Sequence, residues 1–480
     1  LPDLRDQLRY AYDPQLRGLH HLMARRVRTI LMVSNPYESF SISRDHSLTQ
    51  DIYGASQLLH LQNVPQIFTA LSGEEGLKAL ESERFDLVLA SGNLPDMTTS
   101  EFGRRVKASH PGLPVVMVVF DGSWYDQTYR GAEPEGIDRT FAWRGSADVL
   151  LSIMKLVEDS QNVDRDLSIA SIGIILLVED AVEHYSLILP HLYSMLMQRT
   201  FRLVPEGINE SDRQVRTRVR PKVLLARTFG EAAALFEKYE TSLLGIISDL
   251  HTFHDDLSDP ETGIRFLRRV ADRAPGVPIL VQSSEPNVAE VARSVGGRCL
   301  NKRGADVRAC IEQFVLKDIG FGDFEFRLPD GKKIRRVSNL WEMEQALSVV
   351  PDDSLVYHVR RNDLSHWFRA RGETTLAGVL RPITLSDFPT VDALKQYLIN
   401  AISSARREKY RGAIADFRPP EFDPGYPFLV LGRGSLGGKG RGLAFVFRQL
   451  SRWLQDERIH GMRMRLPRTL VIGANESDAF

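Results

Sequence analysis

An α/β protein is what the sequence predicts: two doubly wound, five-stranded parallel sheets in series, then an α+β connector and a final strand–glycine loop–helix segment. Three observations predict it. Residues 28–160 and 170–318 repeat one another element by element, and an internal repeat marks a duplicated structural unit. Within each copy the strand candidates are short, unbroken apolar runs, the pattern of strands buried on both faces. These runs alternate with stretches of helical periodicity, which requires parallel strands joined by crossover helices.

Residues 1–27 read as a helical lead-in, with Leu4, Leu8, Leu16, Leu19 and Leu22 spaced among charges. His20, His21, Arg25 and Arg26 there read as a solvated helix end rather than a ligand site. The first strands of the two copies are RTILMV at 28–33 and IGIILLV at 172–178. LSGEEGLKAL at 71–80 then matches RTFGEAAALF at 227–236, each a helical pattern after a Gly-Glu start. FDLVLAS at 85–91 matches SLLGIISD at 242–249, and GLPVVMVVF at 112–120 matches GVPILVQSS at 276–284. DRTFAWRGSADVL at 138–150 and GRCLNKRGADVRA at 297–309 close the two copies.

From 319 to 415 the pattern changes to a connector. FGDFEFRLPDGKKIRRVSNL predicts a hairpin turning at Asp330-Gly331. LWEMEQALSVV and residues 390–407 predict amphipathic helices, and the apolar run LVYHV at 355–359 predicts another strand. His358, Arg360, Arg361, His366 and Trp367 form a chemically mixed cluster, open to an anion-binding reading but favouring a structural one. A proline-rich boundary at 418–427 leads into the last domain, 424–480.

Composition excludes several function classes. Lys plus Arg number 61 against 62 Asp plus Glu, so no global field favours nucleic acid, membranes or acidic substrates. Cys299 and Cys310 are too few for a disulfide framework or a zinc site, which suits a cytoplasmic protein. The longest apolar run, at 172–178, is far short of a bilayer span, so no membrane association is expected.

The acidic residues of the second copy carry chemistry. Glu179 and Asp180 end its first strand and Asp249 ends its third. In a doubly wound sheet all three meet at the carboxyl edge, where ligands bind. Three carboxylates around one small site repel each other unless a hard cation lies between them, and Mg²⁺ suits their oxygens. Ser283 follows the fourth strand and Lys302 the fifth. In this order and spacing, the two copies resemble response-regulator receiver domains with a flavodoxin-like fold. The resemblance implies Asp249 as the phosphoryl acceptor, with Ser283 and Lys302 meeting the oxygens of an aspartyl phosphate. The second copy also departs from the family. Gly263 comes late after Asp249, Arg303 follows Lys302 in place of proline, and Cys299 stands at the aromatic switch position. These departures put hydroxyl–aromatic output coupling in doubt. An insertion before Pro221 carries Arg213, Arg216, Arg218 and Arg220, with Lys222 just beyond. It reads as a solvated loop face, with an anion or nucleic-acid surface as the rival.

The first copy lacks these groups. Ser34 and Asn35 stand in place of Glu179 and Asp180, Ser91 in place of Asp249, Val119 of Ser283 and Trp143 of Lys302. Glu38 and Asp45 read as solvated loop acids. The expectation is a pseudo-receiver kept for packing or partner recognition.

Near the end, GRGSLGGKGRGL at 432–443 surrounds Lys439 with glycines after the apolar run 428–431. It is not a Walker A motif, because Gly440 follows the lysine. Glycines let backbone N–H groups approach phosphate closely, and the lysine adds a point charge. GGKGRGLAFVFRQL resembles the loop that opens the ATP-binding domain of pyruvate phosphate dikinase and phosphoenolpyruvate synthase. That resemblance implies ATP contacts from Gly437, Gly438, Lys439, Gly440 and Arg441, an ATP-grasp-like start, and RMRLPRTLVI at 463–472 as the next strand. Leu443, Phe445, Phe447 and Leu450 are expected to face a core, with Arg448 and Arg452 wet. The resemblance spans only the last 60 or so residues, so the chain reads as a fragment with most of such an enzyme's catalytic apparatus missing.

Together the resemblances imply a phosphorelay receiver region governing an ATP-dependent dikinase-type phosphotransferase. The partners they imply are a sensor histidine kinase or small phosphodonor, pyruvate or phosphoenolpyruvate in the complete protein, and a receiver-mediated homodimer. The alternative is a non-phosphorylated scaffold for protein docking.

Overall fold

The structure, a computed structural model, describes residues 21–43, 65–129, 133–170, 172–203, 219–252, 261–284, 288–302, 307–410, 413–417, 423–432, 435–453 and 467–477. In the first unit β1 (Thr29–Val33), β2 (Gln66–Ala70), β3 (Leu87–Ser91), β4 (Val115–Val119) and β5 (Arg139–Ala142) form one parallel sheet in the order β2-β1-β3-β4-β5. The second unit repeats it with β6 (Ile174–Val178), β7 (Lys222–Ala226), β8 (Leu243–Asp249), β9 (Ile279–Ser283) and β10 (Arg298–Asn301), in the order β7-β6-β8-β9-β10. Both are doubly wound α/β sheets whose order reverses beside the first strand, and the crevice there opens at the strands' carboxyl ends.

Burial explains the unbroken apolar strands. Ile175 and Leu177 of β6 face one core while Ile174, Leu176 and Val178 face another, so both sides of the strand are dry. The two units also share local punctuation. Ser72 and Thr228 cap the helices Gly73–Ser82 and Phe229–Tyr239 by accepting the N–H of Glu75 and of Glu231. Each glutamate returns the favour by accepting a backbone N–H just before the cap, from Leu71 and from Arg227.

The units are not joined by a linker. Helix Ala147–Ile169 begins in the first unit's core and runs past residue 160 to the second sheet. Its buried acceptors Glu158, Asn162 and Asp166, one turn apart, take the N–H groups of Val27, Arg25 and Met23. Residues 22–27 are therefore a non-helical strap lying along this helix, not the expected helix end; residues 1–20, including His20, lie outside the described residues. The same helix presents Asp159, which takes a two-pronged contact from Arg220 at 2.8 and 2.9 Å. Lys222, fully buried, sits 2.6 Å from Asp166. Arg220 is thus an internal cation rather than part of a solvated face, while Arg213, Arg216 and Arg218 lie outside the described residues.

The connector holds the expected hairpin, β11 (Phe324–Arg327) and β12 (Lys333–Val337), which turns with Gly331 at φ +88°. Residues 355–359 are not a strand. They belong to helix Asp352–Arg360, whose buried face is Ser354, Leu355 and His358 and whose first turn carries Asp352 and Asp353 after Pro351. His358 accepts the Arg327 N–H at 2.8 Å and meets Asp363 at 2.7 Å, and Trp367 donates to the Gly322 carbonyl. The mixed cluster is structural at these two residues. A three-stranded parallel sheet of β13 (Ala415–Asp416), β14 (Phe428–Leu431) and β15 (Thr469–Ile472) ends the described chain. No helix among the described residues is long and apolar enough to cross a membrane.

Candidate functional site

Backbone hydrogen bonds identify which residues of the two units stand in the same place. Ser34 N–H bonds to Ala70 O as Glu179 N–H bonds to Ala226 O. Gly92 bonds to Val118 as Leu250 bonds to Gln282, and Trp143 bonds to Val119 as Lys302 bonds to Ser283. Ser91, Val119 and Trp143 are thereby the counterparts of Asp249, Ser283 and Lys302.

In the second unit these positions assemble an acidic site. Glu179 and Asp180 follow β6, Asp249 ends the neighbouring β8, and ligand oxygens of the three lie within 4.8 Å of one another. Lys302, just past β10, reaches back across the edge with Nζ 2.5 Å from Asp249 Oδ2 and 2.6 Å from Glu179 Oε2. Ser283 ends β9 and is buried, its carbonyl taking the Lys302 N–H at 3.0 Å. Gly263 stays compatible with this edge despite its late position. It lies in the first turn of helix Thr262–Arg273, where a Cβ would stand 2.1 Å from the Leu250 carbonyl oxygen. The turn at 253–260 is outside the described residues.

Electrostatics follow from burial. Desolvation, with the Glu179 charge beside it, raises the Asp249 carboxyl to about 7, against the pull of Lys302. Burial also opposes the charge of Glu179, but Lys302 and His184 overcome it and hold that carboxyl below its ordinary range. Lys302 is raised: burial disfavours its ammonium, and Glu179 and Asp249 outweigh that cost. A buried pair of carboxylates held together by one lysine suits a divalent cation, which would supply the missing positive charge. Glu179, Asp180 and Asp249 are the residues that fit it.

Three neighbours were not singled out in the sequence. Gln282 Nε2 donates to Glu179 at 2.9 Å, His184 Nδ1 lies 3.1 Å from Lys302 Nζ, and Arg227 donates to the Asp180 carbonyl at 3.1 Å. Gln282 precedes Ser283 on β9, and His184 lies four residues after Asp180 on the following helix. Position on the edge was the available signal, and it is weak without knowledge of side-chain reach.

The first unit's edge is closed. Glu38, expected as a solvated loop acid, lies on helix Pro36–Ser43, is buried, and accepts the Ser91 hydroxyl. Its helix folds over the strand end because Asn35 caps it, Oδ1 accepting the Glu38 N–H at 2.9 Å. Asp45 lies outside the described residues.

The glycine loop forms the expected strand, loop and helix. Helix Gly437–Trp453 starts at Gly437, φ +67°, so Gly438, Lys439, Gly440 and Arg441 occupy its first turn. Lys439 is exposed, and Arg441 donates to the Ser435 hydroxyl at 2.9 Å. Gly440 lets the helix meet β15, since a Cβ would come 2.9 Å from Val471. The helix face differs from expectation. Ala444 and Phe447 pack on Phe428, whereas Leu443, Phe445 and Leu450 are exposed, because the described sheet offers only three strands to cover.

No protein-family model matches the chain, and no curated protein matches it. Several solved structures align with parts of the chain. A CheY-like response regulator receiver domain protein from Methanospirillum hungatei is 22% identical and covers 29% of this chain and 98% of its own, at a TM-score of 0.21. A receiver domain protein from Clostridium thermocellum is 17% identical over 28% of this chain and 98% of its own, at 0.22. A probable two-component response regulator/GGDEF domain protein is 16% identical over 59% of this chain and 96% of its own, at 0.25.

Proposed function

We propose that the second unit is a phosphoryl-accepting receiver in which Asp249 is the nucleophile. The observation that carries this reading is the meeting of Glu179, Asp180 and Asp249 within 4.8 Å, with Lys302 bridging two of them. An Asp249 oxygen attacks the phosphorus of a phosphohistidine or of acetyl phosphate. The P–N or P–O bond breaks, and imidazole, which takes up a proton, or acetate leaves. Glu179, Asp180 and Asp249 would hold Mg²⁺, which would supply charge neutralisation for the transferring group. Lys302 exchanges its contact with Asp249 for a phosphoryl oxygen, and Ser283 donates to another. The added charge then shifts the contacts of the carboxyl edge.

In this reading the switch governs an ATP-dependent phosphotransfer of dikinase type, with ATP phosphates at Gly437–Arg441. The first turn of a helix after a strand, with Lys439 exposed there, supports it. A histidine kinase or small phosphodonor is the implied donor. Pyruvate or phosphoenolpyruvate is the implied substrate class, and receiver pairing the implied dimer. For the first unit a docking role is favoured instead, since Tyr37, Phe40, Leu71 and Phe120 are exposed around its closed edge.

Incubation with radiolabelled acetyl phosphate and Mg²⁺ tests the switch. Label is expected on the wild-type chain and not on Asp249→Ala or in chelator. An unlabelled wild type that also ignores beryllofluoride would leave a scaffold.

A further inference from the structure

The loop that carries Asp180 is held from outside its own unit. Helix Val182–Leu203 starts two residues after Asp180, and the residue before it, Ala181, has no side-chain acceptor for the free N–H groups of the first turn. The first unit provides one. Asp126, on helix Gly122–Tyr129, accepts the Val182 N–H at 3.0 Å through Oδ1. The approach is close: a Cβ on Gly122 would stand 2.8 Å from the Glu183 carboxylate, which Arg144 of the first unit also pairs.

A second support reaches the same loop. Arg227 is buried at the end of β7, with Nη2 on the Asp180 carbonyl at 3.1 Å and Nη1 on the Glu133 carboxylate of the first unit. Glu133 is fixed in turn by Tyr125 at 2.9 Å and Thr140 at 2.6 Å. The Asp180 carbonyl and the Val182 N–H two residues on are therefore both held by contacts that lead back to the first unit.

We infer that the first unit is a built-in positioning partner for the second unit's acidic site: Asp126 and the Glu133–Arg227 pair hold the 179–182 backbone so that Asp180 presents its carboxylate beside Asp249. This rests on the reading of Glu179, Asp180 and Asp249 as a divalent-cation site. Asp126, Glu133 and Arg227 touch neither cation nor phosphoryl group, so they are positioning residues. The degenerate copy thereby supports a site that it does not itself contain.

The test is Mn²⁺ titration of the whole 480-residue chain by electron paramagnetic resonance, with Mg²⁺ competition. Asp249→Asn reports on the cation reading alone. Losing the cap in Asp126→Ala is expected to weaken Mn²⁺ about fivefold, while Asp126→Asn, which keeps an acceptor, stays within about twofold. Glu133→Gln combined with Arg227→Met, which avoids a buried lone charge, is expected to weaken Mn²⁺ about tenfold or more. In acetyl phosphate labelling the change falls on the half-saturating Mg²⁺ and not on the rate at saturation. Thermal melts identify any variant that fails to fold; should Asp126→Ala be one, Glu133→Gln with Arg227→Met carries the comparison against Asp126→Asn as the wild-type-like control. If the wild type binds, Asp249→Asn does not, and the positioning variants match the wild type, the inference is overturned. Equal weakening by Asp126→Ala and Asp126→Asn overturns it too, because charge rather than the cap would then be responsible. A wild type that binds no Mn²⁺ removes the cation reading itself and the inference with it.

Discussion

The two α/β units share a strand order, a set of edge hydrogen bonds and a helix-capping pair, yet their carboxyl edges are built from different groups. In the second, Glu179 and Asp249 share a single lysine, and Asp180 brings a third carboxylate within 4.8 Å. In the first, Ser91 meets Glu38, a carboxylate brought in on a capped helix, and the edge satisfies itself without a lysine. What differs at the edge is the five positions held by Ser34, Asn35, Ser91, Val119 and Trp143 in one unit and Glu179, Asp180, Asp249, Ser283 and Lys302 in the other; what is shared is the strand order and the edge hydrogen bonds. The backbone sets where a site can be, and the side chains decide whether three carboxylates and a lysine gather there or one carboxylate meets a hydroxyl.

The sharpest way to break this contrast is at the nucleophile. Asp249→Ala is expected to reduce Mg²⁺-dependent labelling at least about a hundredfold, whereas Ser91→Ala should leave it unchanged; both are read by autoradiography. Next in size is the buried charge between the units. Asp159→Ala strands the buried Arg220 without its acid, while Lys222 keeps Asp166, and is expected to cost roughly 3–5 kcal/mol in urea denaturation. No counterpart of this network serves the first sheet among the described residues.

A pH effect comes third, from the connector. Burial, then the charges of Arg369 and Arg381, lower His366 from 6.5 to about 4. Between those values the unfolded chain binds the extra proton. Stability should therefore be unaffected above pH 6.5 and fall as pH drops towards 4, by up to roughly 3 kcal/mol. His366→Gln should flatten that part of the pH–stability curve. The smallest effect sharpens the likeness instead. Ser72→Ala and Thr228→Ala remove matching caps, and each should cost about 1 kcal/mol in thermal unfolding. Unequal costs would show that the shared punctuation carries different loads in the two units.

Much of this was legible in the sequence because parallel strands buried on both faces leave unbroken apolar runs, and because the edge residues follow strand ends directly. Glu179, Asp180, Asp249 and Lys302 needed only strand order to be brought together. Residues 355–359 were not legible as a helix, since a five-residue apolar run fits either period; Pro351 followed by Asp352 and Asp353 was the overlooked start signal. Glu38 was misread because its helix is only eight residues long and weakly amphipathic. Arg220, Lys222 and Asp126 could not be read at all. Their partners are 61, 56 and 56 residues away in the chain, and local pattern carries nothing about them.

Helix Ala147–Ile169 has a consequence for how the molecule comes apart. One contiguous core runs from the first sheet through this helix to one face of the second sheet. The edge strand β5 is covered by the second unit, the Ser186 hydroxyl oxygen accepting the Ala142 N–H at 2.9 Å. Separating the units would uncover both a strand edge and a helix face, so the two are expected to melt together in one transition rather than in two.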